Sequence, residues 1–359
     1  MNFTKNFYII SKNINTIGDF VMKKIYATLV YLSANQWLPL KDKIALGEPF
    51  WDILLKKSSE SGINAIMIEV GDGVKYESHP EISLVDAWDR EKVKKEVARC
   101  KELGIDIIPR VNFSSTHNFW MKKYRSLTST PEYYDFCSDI IKEIYEIFEH
   151  PQYIHIGMDE EDAEYQKKSD LVIFRRGSLL MNDMKFLIDE VNKTGAKPII
   201  SHCSMFVETE KFFKMISPDE VVIEPWWYYA FYRDKLTPVS EWAEKTVEKE
   251  LAKECVEMGL VYMEDHPFLK PLLDHFYDII LPAMKMGYKY IPMASIWGSV
   301  PSNHEQMLDF FENAEGGESS ILGYFTVPWT GMSVEYIPAY EESFRQLMEA
   351  KKIHIDGKQ

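Results

Sequence analysis

Four consecutive acids, Asp159, Glu160, Glu161 and Asp162, close the segment YIHIGMDEED at residues 153–162, which opens as an apolar strand. Neighbouring carboxylates do not ionise independently, because the charge on one raises the pKa of the other. Such a pair can supply one acid and one base near neutral pH, which is the chemistry of glycosidic bond cleavage. In an extended strand His155, Gly157 and Asp159 share one phase, and Ile154, Ile156 and Met158 share the other. Gly157 makes room near the strand's end, so Asp159 and Glu160 emerge on adjacent positions at a rim. Acids at such a place also cap helices or bind solvent, and Glu161, Asp162 and Glu164 are read in that way.

The elements that must position this pair alternate between apolar, β-rich runs and amphipathic helical stretches, the pattern of a parallel sheet with helical crossovers. Expected strands are YATLVYLS (26–33), AIMIEV (65–70), DIIPRV (106–111), YIHIGM (153–158) and KPIISH. VVIEPWW (221–227), LVYMED, YKYIPMASIW (288–297) and ILGYFTVPW (321–329) follow. These nine runs compete for eight places, so one of them, LVYMED or a neighbour, lies outside the ring. Gly62, Gly104 and Gly195 fall just past helices, where a left-handed cap is wanted, and Thr130 with Pro131 signals a helix start. The expected fold is α/β, a single (β/α)8 TIM barrel over residues 25–350, with an extension at 1–24 and a tail at 351–359. Long connections follow the strands (71–88, 112–129, 159–177 and 228–239) and short ones precede them, so function is expected at the strands' C-terminal ends.

Bulk composition narrows the partners. The chain has 359 residues, is 46% hydrophobic, and carries 41 basic against 56 acidic residues for a net charge of −15. Nucleic acid and anionic membrane surfaces are repelled by such a surface. No apolar run reaches the roughly 20 residues of a membrane span. Cys100, Cys137, Cys203 and Cys255 are far apart and fit a reduced compartment as small core residues. From Met22, MKKIYATLVYLSANQW has the outline of a short signal peptide, which would make the protein secreted or periplasmic. The reading as a first strand, with a cytoplasmic location, is preferred.

HIGMDE closely resembles the His-Xaa-Gly-Gly-Asp-Glu motif of family 20 glycoside hydrolases, the β-N-acetylhexosaminidases, with Met158 in place of the second glycine. AIMIEVGDGVKYESHPEI is similar to that family's second-strand segment, with Asp72, Gly73, Lys75, His79 and Pro80 in like places. KELGIDIIPRVNFSSTH resembles its third strand and makes His117 the counterpart of a histidine near the sugar. VVIEPWW and ILGYFTVPW resemble late strands that end in tryptophans. The resemblance covers residues 26–200 and thins beyond. It implies that Glu160 is the general acid and base and that Asp159 orients and polarises a 2-acetamido group, whose oxygen attacks the sugar carbon with retention of configuration. It implies no metal and no organic cofactor. The pattern departs at four places. Asn35 and Gln36 stand where the family has a sugar-gripping arginine, and Arg110 and Asn112 replace two acids. A Trp-Asp pair is missing after the fifth strand, as is a glutamate after the last tryptophan.

Aromatic residues suit the apolar faces of sugar rings. EPWWYYAFY packs six of them into residues 226–232, and at least one of Trp226, Trp227 and Tyr228 is expected to line the pocket. Trp297 and Trp329 end strands of the same polarity and are candidate subsite walls; Trp37, Trp88 and Trp120 fall in earlier rim loops. His155 is read as a buried orienter, His202 as a core residue. A metal site from His117, His155, His202 and Asp159 has no HxH or HExxH spacing behind it. The sequence therefore predicts a glycosidase acting on a terminal β-linked hexosamine, with His117, His155, Asp72, Trp226, Trp227, Tyr228, Trp297 and Trp329 around Asp159 and Glu160. Its rivals are a carbohydrate-binding barrel that has lost turnover and a metal-dependent sugar isomerase or epimerase.

Overall fold

The computed structural model describes residues 24–161, 166, 170–227, 276–296 and 303–358. Among them ten short strands form one parallel sheet: β1 (Ile25–Tyr31), β2 (Ala65–Glu69), β3 (Asp106–Arg110), β4 (Tyr153–His155), β5 (Lys197–Ser201), β6 (Val222–Glu224), β7 (Trp226–Trp227), β8 (Lys289–Tyr290), β9 (Met293–Ser295) and β10 (Gly323–Val327). The order is β7-β9-β10-β1-β2-β3-β4-β5-β6-β8, and every pairing is parallel. The fold is α/β and TIM-barrel-like. LVYMED lies outside the described residues, as do Tyr228 and Trp297.

Prolines explain why two expected strands appear as halves. Pro225 separates β6 from β7 and Pro292 stands between β8 and β9, and neither ring can donate to a ladder. Their carbonyls still accept, Pro225 from Met293 N at 2.9 Å and Pro292 from Phe325 N at 2.8 Å. The β6–β8 and β7–β9 pairings run at the same offset along the chain.

Strand alternation divides the apolar residues into two cores. Ala27, Leu29, Ala65, Met67, Ile108, Tyr153, Ile199, Val222, Met293, Phe325 and Val327 pack on the concave side. The opposite phase, with Val30, Ile66, Ile68, Ile154 and Ile200, meets the helices α1 (Glu48–Ser61), α2 (Arg90–Glu102), α3 (Pro131–Ile147) and α4 (Gly177–Thr194). Each fully buried Leu, Ile or Phe contributes about 1.5–3 kcal/mol of transfer free energy, so these two layers hold the sheet rigid beneath its rim. The cap signals match: Thr130 Oγ1 accepts from Tyr133 N, and Gly62 and Gly195 take left-handed caps. The last helix, Ile337–His354, runs on into the segment read as a tail. No described helix is long and apolar enough to cross a membrane.

Candidate functional site

Along β2 to β6 the interior phase changes character at its C-terminal end. Above Met67, Ile108, Tyr153, Ile199 and Val222, two residues further on, stand Glu69, Arg110, His155, Ser201 and Glu224, all buried. Burying so many polar groups costs several kcal/mol each unless they satisfy one another. Arg110 Nη1 donates to Glu69 Oε2 at 2.5 Å, while Nη2 reaches both Asp159 oxygens at 3.4 Å. His155 accepts from Gly157 N at Nδ1, 2.9 Å, so its proton sits on Nε2 and faces Glu224 Oε2 at 3.2 Å. The same oxygen accepts from Ser201 Oγ at 3.2 Å and Trp226 Nε1 at 3.0 Å.

The stretch after β4 departs from the expected extended strand. β4 ends at His155, and Gly157, Met158 and Glu160 take φ values of 69°, 65° and 52°. The alternation argument for residues 157–160 therefore fails, although Asp159 still turns inward. Gly157 does more than leave space. A Cβ there would sit 2.1 Å from Asn112 Oδ1, and Asn112 Nδ2 is the donor that holds Asp159 Oδ1 at 2.6 Å. Asp159 is 4% exposed. Burial works to raise its pKa, yet His117, Arg110 and Asn112 outweigh that and hold it below the usual carboxylate value.

Glu160 lies at the mouth with its side chain 24% exposed, and His117 Nε2 stands 3.5 Å from its Oε2. His117 Nδ1 lies 3.0 Å from Ser114 Oγ and 2.8 Å from Thr116 Oγ1, and Thr116 Oγ1 also donates to Asp159 O at 3.3 Å. Burial depresses the His117 and His155 pKa values, so both rings are neutral near pH 7. Glu69 behaves oppositely: burial, opposed by Arg110, lifts its carboxyl to about 7.

The remaining candidates divide. Trp226 and Trp329 are half-buried and pack on the inner cluster below the rim. Trp227 faces the other way and is wholly buried, with ring centroids 5.0 Å from Phe276 and 4.9 Å from Phe310, so the expectation that it serves the pocket is corrected to core packing. Asp72 is also fully buried and accepts from Ser33 Oγ at 2.8 Å, Ala34 N at 3.2 Å and Asn35 Nδ2 at 2.6 Å, contacts that all belong to the loop after β1. Glu161 overturns its reading as a solvated cap. It is buried, bonded to Ser115 N and Oγ and paired with Arg175. His202 is buried against Phe206 and Trp226. The described residues contain no cluster of His, Cys, Asp or Glu suited to a metal ion.

Sequence reasoning missed Glu69 and Glu224. Each ends its strand two residues after an inward apolar residue, Met67 for Glu69 and Val222 for Glu224, and that phase was the available signal.

No family model matches the chain, and no curated protein matches it. Among solved structures it is similar to a β-N-acetylhexosaminidase from Bacteroides fragilis NCTC 9343, at 15% identity and TM-score 0.53, covering 90% of this chain and 65% of that one. The GH20 β-N-acetylhexosaminidase from Streptomyces coelicolor A3(2) gives 11% identity and TM-score 0.55, with 91% and 64% covered. Dispersin B gives 13% and 0.52, with 93% and 100% covered. The chain thus spans just under two thirds of the length of the first two. By fold it is family 20-like, and divergent at these identities.

Proposed function

We propose that the chain is a glycoside hydrolase on a single (β/α)8 barrel that removes a terminal β-linked, N-acetylated hexosamine with retention. The barrel reading is supported by the shared offset across Pro225 and Pro292: β6 with β7 and β8 with β9 each count as one strand, which leaves eight. The chemistry rests above all on one observation, that two adjacent acids have opposite surroundings. Asp159 is enclosed and held ionised, whereas Glu160 is at the mouth beside a neutral histidine.

In this reading Glu160, protonated, gives its proton to the glycosidic oxygen as the bond to the anomeric carbon breaks. Asp159 accepts from the acetamido N–H, and the acetamido oxygen closes on the anomeric carbon to form an oxazolinium ion. Glu160, now a carboxylate, takes a proton from the water that opens this ring, so proton and charge return to their starting places. Asn112 occupies Oδ1 of Asp159, whereas Oδ2 has only long contacts among the described residues, to Arg110 Nη2 at 3.4 Å and His117 Nδ1 at 4.0 Å. That leaves an acceptor for the substrate N–H.

The test is a panel of aryl β-glycosides, N-acetylglucosaminide, N-acetylgalactosaminide, glucoside and galactoside, with the native chain and Glu160→Gln. Turnover confined to the acetamido sugars and reduced about 10²- to 10⁴-fold in Glu160→Gln is expected. Turnover of the plain sugars would sink substrate assistance. A second reading, sugar binding without turnover, is favoured by the guanidinium already resting on Asp159. Silence across the panel with sugar binding retained would select it.

A further inference from the structure

The loop after β1 carries an exposed apolar run, with Trp37 50%, Leu38 45% and Leu40 62% exposed. Scattered surface apolar residues need no explanation, but three within four positions at the rim of a barrel do. Trp37 is also placed. Its ring lies 5.0 Å from that of His117 at 68°, and 6.3 Å from Tyr31. His117 is the residue that faces Glu160 at 3.5 Å.

The loop is built to hold the indole there. Asn35 Nδ2 donates to Lys41 O at 2.9 Å and Lys41 N donates back to Asn35 Oδ1 at 2.7 Å, which closes residues 36–40 into a ring. Asn35 Nδ2 also reaches Asp72 Oδ2 at 2.6 Å, and Asp72 holds Ser33 and Ala34 with its other oxygen. Gly73 lets the β1 and β2 loops meet, since a Cβ there would sit 2.8 Å from Leu32 C and 2.9 Å from Ser33 N. Buried, satisfied polar groups of this kind fix a loop against the entropy of a mobile tip. A fixed aromatic surface left in water at a site mouth is a preorganised platform.

We propose that Trp37 forms a leaving-group subsite that stacks a neutral sugar ring, the one attached to the oxygen that Glu160 protonates, and that Asn35 and Asp72 are its positioning residues. The proposal rests on the assignment of Glu160 as the acid. The location follows from chemistry: the proton donor must touch the bridging oxygen, so the ring beyond that oxygen lies on the donor's side, where His117 and Trp37 stand. A neutral ring is favoured over an anionic one because the chain carries −15 overall and Glu160 lies beside the platform. Asp72, buried and spent on backbone and Asn35, thereby acquires a part without touching substrate.

The test uses calorimetry on the Glu160→Gln chain, in which turnover is slowed, with N-acetylglucosamine and its β-1,4-linked dimer as probes. The dimer is expected to bind more tightly than the monomer. Trp37→Ala should remove roughly three- to tenfold of that advantage and leave monomer affinity unchanged, while Trp37→Phe keeps most of it. Asn35→Ala should lower the dimer's advantage with Trp37 still in place. Equal dimer affinity in Trp37→Ala and its parent overturns the subsite while monomer binding upholds the site, and an equal loss for monomer and dimer moves Trp37 to the ring being released. Failure of both sugars to bind the Glu160→Gln chain overturns the sugar-cleaving reading and the subsite with it.

Discussion

Two arginines lie buried between pairs of carboxylates, one on each side of the β-sheet wall, and they are built differently. Outside, Arg175 donates to Asp183 Oδ2 at 2.9 Å, to Phe113 O at 3.1 Å and to Glu161. Its partners are themselves filled, Glu161 by Ser115 and Asp183 by Ser129 Oγ and Tyr134 Oη, each at 2.5 Å. Inside, Arg110 is shared unequally, close to Glu69 and 3.4 Å from Asp159, and Glu69 Oε1 has no donor among the described residues. The outer group has its carboxylate acceptors filled and fastens the loop after β3 to α4. The inner one keeps acceptor capacity in reserve, as a site that must take up a substrate's donors requires.

The largest difference should appear when each arginine is removed. Arg175→Met leaves the carboxyl groups of Glu161 and Asp183 buried without their guanidinium, and should cost about 3–5 kcal/mol in a urea unfolding experiment at pH 7. Arg110→Met should cost distinctly less, because Glu69 can answer by holding its proton, as its pKa of about 7 already foreshadows. Equal losses would show that the two groups are energetically alike and would break the comparison.

A smaller effect separates them by pH. The Glu69 carboxyl binds its proton more tightly folded, at about 7, than at the ordinary 4.5. A raised pKa gives stability that is fully present below 4.5 and lost as pH rises to about 7, a span worth about 3 kcal/mol. The neutral histidines His117 and His155 slope the other way through the same window, since their folded pKa values are depressed. The readout is therefore the difference between the native chain and Glu69→Gln, in which the histidine slopes cancel. Parallel stability curves from pH 4.5 to 7 would mean that Glu69 is already ionised and that Arg110 belongs to it alone.

The sequence made half of this contrast readable. The places of Asp159, Glu160 and His117 were signalled by a motif and the inward turn of His155 by strand phase, and these four lie together at one rim, although strand phase did not carry on to residues 157–160. Glu161 did not, because its neighbours along the chain say nothing of Arg175, fourteen residues on, or of Ser115, across a loop. Trp226 and Trp227 were equivalent in sequence. Alternation then sent one to the inner face and the other among Phe276, Phe310 and Phe311. The halved strands were concealed because Pro225 and Pro292 stand inside runs of apolar residues that read as continuous, although each removes a ladder donor.

The finest test exchanges like for like. Tyr134 Oη and Asn112 Nδ2 each donate to a carboxylate at short range, Tyr134 to Asp183 at 2.5 Å and Asn112 to Asp159 at 2.6 Å. Tyr134→Phe should lower stability by about 1 kcal/mol, the ordinary worth of one such bond, and leave sugar binding and the pH profile unchanged. Asn112→Ala should lower stability to a similar degree and also raise the pH at which Asp159 takes up a proton, since one of the groups that favour its charged form is gone. Carboxyl carbon NMR of Asp159 reads that shift without any substrate. If the Asp159 resonance titrates identically in the native chain and in Asn112→Ala, the inner carboxylate is indifferent to this donor, and the distinction between a fastening and a poised site is lost.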